Sequence, residues 1–408
     1  MEPVQWTRSA IGDCLDPTSL AGGTKVQARD YRTSGRFPIV DQGQQQIAGW
    51  TEDESAVIDG PLPVIVFGDH TRVFKFIDFP FARGADGTQL LKPKQGIDPL
   101  FFFYACRSVD LPTRGYNRHF SVLKEKVISL PLDGEEQRVI GQVLRCVEHA
   151  WNHQSSMMAT VGRLKRASMR ELFERGLHRE PQKETEIGRV PKSWEIQRLD
   201  ERAQVVSTRM SYSELELLQD LPGDGVKVLG IKVSDMNSKG NEIELRRAAL
   251  EKVVEQSVAS SRCARPGTIV FPKRGAAIAT NKKRLTSTWT VFDPNVIGVV
   301  AQDGLEQRFL FHWFQLFDLR SITEPGPTPQ LNKKNLDPLL IPVPRAGEEQ
   351  REIAAVVDAL DGKLRLHRQK GEVLERIFKA LLHNLMTGEI RVSDLDLSAV
   401  RAGNGVAA

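Results

Sequence analysis

The chain is short of cysteine, of long apolar runs and of every compact catalytic signature expected of an enzyme acting on nucleotides or nucleic acids. Its four cysteines, Cys14, Cys106, Cys146 and Cys263, are scattered. None lies close enough to another for a metal knuckle or a redox pair, so they read as thiols of a reducing, cytoplasmic setting. The opening residues, MEPVQWTRSAIGD, hold no apolar stretch of signal-peptide length. No run approaches the roughly 18 apolar residues of a membrane span. The densest, PLFFFYA at 99–105, has the length of a buried core segment. There is no Gly-x4-Gly-Lys-Ser/Thr loop for phosphates and no Glu-x-Lys. No two prolines adjoin, which removes the Asp/Asn-Pro-Pro-aromatic loop of amino-methyltransferases. His-Glu-x-x-His and Gly-x-Ser-x-Gly are missing too. Together these absences favour a chain without catalytic machinery, bound metal or cofactor of its own.

What is present is a 408-residue chain with an ordinary soluble balance, 40% hydrophobic and 26% charged, long enough for two or three domains. A net charge of +4 permits an acidic partner without demanding one. The pentapeptide GEEQR occurs twice, at 134–138 and 347–351. With that offset of 213, Pro131 falls on Pro344, Ile140 on Ile353, Arg163 on Arg376, Ala167 on Ala380 and Leu172 on Leu385, without a gap over roughly 40 residues. The chain therefore carries an internal repeat.

Each copy reads as a helix. In the second, Ile353, Val357, Leu360, Leu364, His367, Gly371, Leu374, Phe378, Leu381 and Leu385 step by fours and threes, the seam of a coiled coil. The first keeps Ile140, Leu144, Val147, Trp151, Met158, Val161 and Leu172 in equivalent places. Gln154, Lys165 and Ser168 interrupt it, so its pairing is expected to be looser or shifted. Glu135, Glu136, Glu348 and Glu349 suit the N-terminal turns, and Gly176 and Gly388 the C-terminal stops. A helix of this length spans about 60 Å at 1.5 Å per residue, far beyond the usual globular helix. Each needs a partner for its seam, and the two are expected to pair as antiparallel coiled-coil helices.

The expected organisation is a domain at 1–130, a long helix at 131–178, a second domain at 187–345, a second helix at 346–390 and a tail at 391–408. Both domains open on Pro-x-x-Trp, PVQW at 3–6 and PKSW at 191–194, and the polar linker HREPQKETEIGRVP precedes the second. PVIVFGDHTRVFKFIDF (63–79) carries two strand-like runs split by Gly-Asp-His-Thr, and GADG (84–87) reads as a turn. PGTIVFPKRGAAIATNKKRL (266–285) has a strand-like run, then Lys-Arg-Gly and small residues. The fold class is α+β, two mixed α/β domains separated by the two long helices.

This layout resembles the specificity subunit of type I restriction–modification systems over nearly the whole chain. The resemblance rests on PIVDQGQQQIAGW (38–50), VIVFGDHTRVFKFIDFPFARGADGTQLLKP (64–93), IGRVPKSWEIQRL (187–199) and PQLNKKNLDPLLIPVPRAGEEQREIAAVVDALD (329–361), in the family's order. It implies two target-recognition domains at opposite ends of a two-helix spacer, each reading half of an asymmetric bipartite site in double-stranded DNA. It also implies two methyltransferase subunits that use S-adenosylmethionine, and two motor/nuclease subunits that use ATP and Mg. The subunit itself would do no chemistry. Rival readings are a coiled-coil scaffold that does not read DNA, a subunit of a methylation-only defence system, and a cryptic enzyme.

Phosphate contacts draw on Lys, Arg and backbone amides, and base contacts on Arg, Asn and Gln among others. In the first domain the candidates are His70, Thr71, Arg72 and Lys75, with Lys92 and Lys94. The alternatives are a solvated strand face for Arg72 and Lys75, and a turn-orienting role for His70. In the second domain they are Lys273, Arg274, Lys282, Lys283 and Arg284, where the alternative is a tight turn with gatekeeper charges, and then Asn332, Lys333 and Lys334. Phe101, Phe102, Phe103, Trp289, Phe311, Trp313 and Phe314 read as core rather than base-stacking platforms. His367 reads as a packed helix residue, and the basic run 163–170 as a solvated face.

Overall fold

The computed structural model describes residues 5–17, 24–85, 87–112, 118–302, 304–324, 326 and 329–396. Most of the expected tail and Asp86 of the GADG stretch lie outside the described residues. The chain forms two compact units, one of Met1–Ser156 with Arg368–Ala408, the other of Met157–His367.

The first unit begins with β1 (Trp6–Ala10) and continues through β2 (Phe37–Val40), β3 (Gly49–Thr51), β4 (Val57–Ile58), β5 (Val64–Gly68), β6 (Phe74–Ile77), β7 (Phe81–Arg83) and β8 (Thr88–Leu91). Two small sheets result, in the orders β3-β2-β7-β4 and β6-β5-β8. β5, VIVFG, is buried at every position, as a central strand between covered faces should be. A phenylalanine-rich helix, Pro99–Ser108, follows. Asp98 starts it by accepting the Phe101 N–H at 2.8 Å, with Pro99 preset for the first turn. β9 (Val127–Pro131) then returns antiparallel to β1, Trp6 opposite Pro131.

The second unit begins, beyond the first long helix, with a hairpin of β10 (Gln182–Thr185) and β11 (Gly188–Pro191). Next come β12 (Glu195–Arg198), β13 (Ala203–Val206), β14 (Val226–Ile231), β15 (Glu244–Leu245), β16 (Leu250–Val254), β17 (Ile269–Pro272), β18 (Arg284–Thr286), β19 (Trp289–Phe292) and β20 (Val296–Ala301). The sheet orders are β16-β14-β19 and β13-β20-β17-β18-β15. A second phenylalanine-rich helix, Gln307–Leu316, precedes β21 (Leu340–Val343), which returns antiparallel to β12.

The units repeat one plan. β2 runs parallel to β7 and antiparallel to β3, as β14 does to β19 and β16. β5 pairs antiparallel with β6 and β8, as β17 does with β18 and β20. The Phe-rich helices fill both cores: Phe101, Phe102 and Phe103 in one, Phe309, Phe311, Trp313 and Phe314 in the other. Trp289 is half-buried against a neighbouring cluster, so all the aromatics read as core are packed.

The long helices run Gly134–Arg175 and Gly347–Thr387, and part of each belongs to each unit. Within the first unit they pair antiparallel: Gly371 lies against Gln154 and the Phe378 ring against Trp151, centroids 6.0 Å apart. Tyr104 and Arg107 of the Phe-rich helix reach the same seam, donating to Glu148 at 2.8 and 2.6 Å. In the second unit the direction is the same, Lys165 opposite Asp361 and the Leu177 N–H on Glu349. The second helix keeps Ile353, Val357, Phe378 and Leu385 buried, with Leu360, Leu364, His367, Leu374 and Leu381 half-buried.

The interruption expected of the first helix takes the shifted form, with a polar contact at its centre. Lys165 is not a gap in the seam: it is buried, with Nζ 2.6 and 2.8 Å from the two Asp361 oxygens and 3.3 Å from Gln315. The apolar contacts shift beyond it to Met169 and Phe173, both buried, with Leu172 at the edge. The other basic residues of the 163–170 run, Arg163, Arg166 and Arg170, are exposed.

The repeated GEEQR has a structural cause. Gln137 donates from Nε2 to the Pro131 carbonyl at 2.8 Å and accepts the Asp98 N–H at 2.8 Å. Gln350 donates to the Pro344 carbonyl at 3.2 Å and accepts the Glu306 N–H at 2.7 Å. Asp98 and Glu306 are the residues that start the two Phe-rich helices. Each glutamine is buried, and each ties a returning strand, a long helix and an aromatic core helix together.

Gln350→Leu strands the Glu306 N–H and the Pro344 carbonyl and is expected to cost about 1–3 kcal/mol in denaturant unfolding. Lys165→Met leaves Asp361 an uncompensated buried charge and is expected to cost about 3–5 kcal/mol, whereas Lys165→Leu with Asp361→Leu should recover most of that loss; equal losses in the single and double variants would contradict the pairing.

Candidate nucleic-acid interface

In each unit the loop leaving the central strand, β5 or β17, is held by the segment that precedes a short helix and the returning strand. In the first unit this loop is Asp69–Arg72. Asp69 is buried, and one of its carboxylate oxygens accepts the N–H groups of His119 and Phe120 at 2.7 Å each. Thr71, exposed, donates to the Gln42 carbonyl at 2.6 Å. Arg72 adopts φ 61°, unusual for a side-chain-bearing residue, and donates to the Leu111 carbonyl at 2.8 Å. His70 is half-buried beside Gln42.

In the second unit the equivalent loop is Lys273–Gly275. The Leu331 N–H bonds the Lys273 carbonyl at 2.9 Å, and the Gly275 N–H bonds the Pro329 carbonyl at 2.8 Å. Gly275 has φ 69°, so the Lys-Arg-Gly turn needs glycine there. Asn332 starts the short helix Lys333–Leu336, its own N–H bonded to the Asn335 side chain at 2.8 Å. Lys273, Arg274, Asn332, Lys333 and Lys334 are thus brought around one turn. Arg274, Lys333 and Lys334 are exposed, and the ion pairs Lys333–Asp337 (3.5 Å) and Lys334–Glu324 (2.8 Å) lie at the surface.

Other candidates are placed apart from these loops or inside the fold. Lys92, half-buried and 3.8 Å from Asp16, and Lys94, exposed, follow β8. Lys282, half-buried, bonds the Asn237 side chain. Lys75 is buried, with its ammonium on the Gln45 carbonyl and 3.6 Å from Asp41. Burial pushes its pKa down and Asp41 only partly offsets that. Lys283 is also buried, donating to the Phe317 carbonyl at 2.6 Å; burial lowers its pKa to about 8, against the pull of Asp318. Arg284, half-buried, donates to the Met236 carbonyl at 2.9 Å. For Lys75, Lys283 and Arg284 the expectation of a surface contact gives way to an internal hydrogen bond.

Sequence reasoning passed over two groups that the fold adds. Gln44, Gln45 and Gln46 form an exposed amide cluster beside the first loop, and Arg118 is exposed next to the His119 clamp. The QGQQQ run itself, four glutamines between two strands, was the available signal for the first.

Among the described residues, one cluster has metal-ligand residue types. His312, Asp358 and Asp361 offer ligand atoms within 4.8 Å of one another. Both carboxylates are already taken up by cations, Asp361 by Lys165 and Asp358 by Arg308, which donates to its two oxygens at 2.9 and 2.8 Å. Burial would raise the Asp358 pKa, but hydrogen bonds from His312 and Arg308 hold it at about 2. The cluster ties the second Phe-rich helix to the second long helix. Among the described residues, no helix is long and apolar enough to cross a membrane.

Residues 191–376 match the family model described as the type I restriction modification DNA specificity domain. The chain is 23% identical over 321 residues to the type I restriction enzyme MjaVIII specificity subunit of Methanocaldococcus jannaschii, covering 74% of this chain and 72% of that one. The provisionally assigned MjaX specificity subunit of the same organism is also 23% identical, over 316 residues, 74% of this chain and 71% of that one. The crystal structure of the type I restriction–modification S subunit from M. genitalium shares the fold, with a TM-score of 0.65 at 16% identity over 95% of this chain and 97% of that one. Residues 191–376 thus carry the type I restriction modification DNA specificity domain, and the chain, with one plan built twice, is similar to the specificity subunits of type I restriction–modification systems.

Proposed function

We propose that this chain is the non-catalytic sequence reader of a type I restriction–modification complex. Each unit reads one half of an asymmetric, bipartite site in double-stranded DNA, and the long helices set the number of unread base pairs between the halves. The observation that supports this reading best is the duplicated loop. The same scaffold presents Asp69–Arg72 once and Lys273–Gly275 once, with different side chains. Two readers of equal build and unequal chemistry suit a site whose halves differ.

Arg274, Lys333, Lys334 and Lys94, exposed, and Lys92, Lys273 and Lys282, half-buried, supply phosphate contacts, which position the protein without specifying sequence. His70, Thr71, Arg72 and Asn332 lie where base edges or the sugar–phosphate path can be met. Two methyltransferase subunits dock on the chain and use S-adenosylmethionine to methylate adenine at N6. Two motor/nuclease subunits join for restriction and use ATP and Mg. The chain contributes placement, and the chemistry belongs to these partners.

The first test is base-resolution mapping of N6-methyladenine in cells carrying the cognate methyltransferase, with and without this chain. A single bipartite motif is expected only when the chain is present. Methylation unchanged by its removal, with the methyltransferase active, would shift the weight to a scaffold that does not read DNA.

Inserting one heptad in both long helices adds about 10 Å at 1.5 Å per residue. The gap in the methylated motif is expected to lengthen by about three base pairs, at 3.4 Å each along a strand. An unchanged gap would show that the helices do not set it.

A further inference from the structure

We infer that the loops following β2 and β14 are base-reading elements of the two units beside the loops after β5 and β17, and that Lys75 and Arg284 are the positioning residues that hold them. This deepens the proposed reading of DNA and rests on it.

The fold turns two cations inward. Lys75 sits on β6 opposite Val66 of β5, and Arg284 sits on β18 opposite Val270 of β17. Those strands are equivalents, so the two cations occupy one structural position. Each meets the backbone carbonyl of a neighbouring loop, and Lys75 also lies 3.6 Å from the Asp41 carboxylate. Lys75 is 4% exposed and bonds the backbone carbonyl of Gln45. Arg284 bonds the backbone carbonyl of Met236. Gln45 lies in the loop after β2, and Met236 in the loop after β14. A buried or half-buried cation without a partner is unfavourable, so each bond restrains both the strand and the loop.

An anchor of this kind fixes a loop by its backbone and leaves the side chains free to differ. In the first unit Asp41 adds to it, accepting the Gly43 N–H at 2.8 Å, and Thr71 ties Gln42 to the neighbouring loop. Gln46 donates to the Phe76 carbonyl at 3.3 Å. Gln44 and Gln45 remain as exposed amides on a held backbone. An amide presents a donor and an acceptor side by side, the pattern that matches the major-groove edge of adenine.

The second unit builds a different loop on the same anchor. Asn241, fully buried, donates to the Asp235 and Arg247 carbonyls at 2.9 and 2.7 Å and accepts the N–H groups of Arg246 and Arg247. Asp235, also buried, accepts the N–H groups of Lys232 and Ala249. These bonds close the loop into a fixed shape with Asn237, Ser238 and Lys239 exposed at its tip. Amides in one unit, and an amide with a lysine in the other, give the two halves of the site different preferences.

The test is N6-methyladenine mapping with the full chain and its cognate methyltransferase, comparing wild type with four variants. Gln44→Ala with Gln45→Ala is expected to weaken base preference about tenfold or more at one or two positions of one half-site, leaving the other half and the gap unchanged. Asn237→Ala with Lys239→Ala should relax only the opposite half. Lys75→Met should relax the same half as the glutamine pair, and Lys75→Arg, which keeps the donor, should restore it. Complete loss of methylation with Lys75→Met would leave the decision to the two loop-tip pairs, whose side chains are exposed. A wild-type motif unchanged by both of those pairs overturns the loop assignment alone. Absence of any motif with the wild-type chain overturns the sequence-reading function, and this inference with it.

Discussion

A glutamine buried at the first turn of each long helix is the contact on which the rest of the architecture depends. Gln137 and Gln350 each satisfy a carbonyl at the end of a returning strand and an N–H at the start of a core helix. Both groups stand where regular hydrogen-bonding ladders stop, and burial makes them costly to leave unpaired. One side chain with a donor and an acceptor resolves both. It also sets the direction in which the long helix leaves the sheet-bearing part of its unit. A repeated GEEQR is therefore the trace of a repeated junction, and the acidic pair beside the glutamine suits the positive end of the helix.

Beyond that junction the units diverge in how they bind the helix pair. The first uses aromatic packing with one charged clamp: Arg107 lies over Phe103, Tyr104 and Phe378 while bonding Glu148. The second uses a mostly ionic seam, Lys165 with Asp361 and Arg308 with Asp358 and Glu244. Glu148 and Asp361 are equivalent under the repeat of 213 residues, so one carboxylate position persists while its partners change. Buried ion pairs add little net stability over apolar packing but penalise wrong partners heavily. A polar seam in one unit and an aromatic seam in the other make mispairing of the helix segments costly.

The sequence carried the repeat, the seam periodicity and the α+β class in plain view, because helical period and a gapless duplication survive without knowledge of tertiary contacts. The partners of the polar seam residues were not legible. Lys165 in a heptad position reads as a defect until Asp361, 196 residues later, is placed opposite it. The inward cations were partly legible. In FKFI, residues 74–77, strand alternation puts Lys75 on the same face as Ile77, which is the buried one. A lysine on the apolar side of a strand is a sign of an internal partner. Proximity of a basic run to glycine suggested phosphate contact for the whole of 273–284, yet that stretch contains both exposed Arg274 and buried Lys283. Which of these faces outward is decided by the turn at Gly275 and the short helix after it, and residue types alone do not fix that.

If the exposed loop positions read bases, as proposed, the separation of anchor from reader would let such a chain acquire a new target without refolding. If bases were read by the residues that also hold the loops, each change of target would destabilise the unit. Here the bonds that fix the loops run to backbone atoms: Lys75 to Gln45, Arg284 to Met236, Asn241 to Asp235 and Arg247. Backbone carbonyls are the same in every sequence, so substitutions at the exposed loop positions leave the anchors intact. The two units of this chain already hold different loops on the same anchor position. Lysine in one and arginine in the other perform the same bond, which places the constraint on the cation, its geometry and the few buried loop side chains such as Asp235 and Asn241, and leaves the exposed loop positions unconstrained.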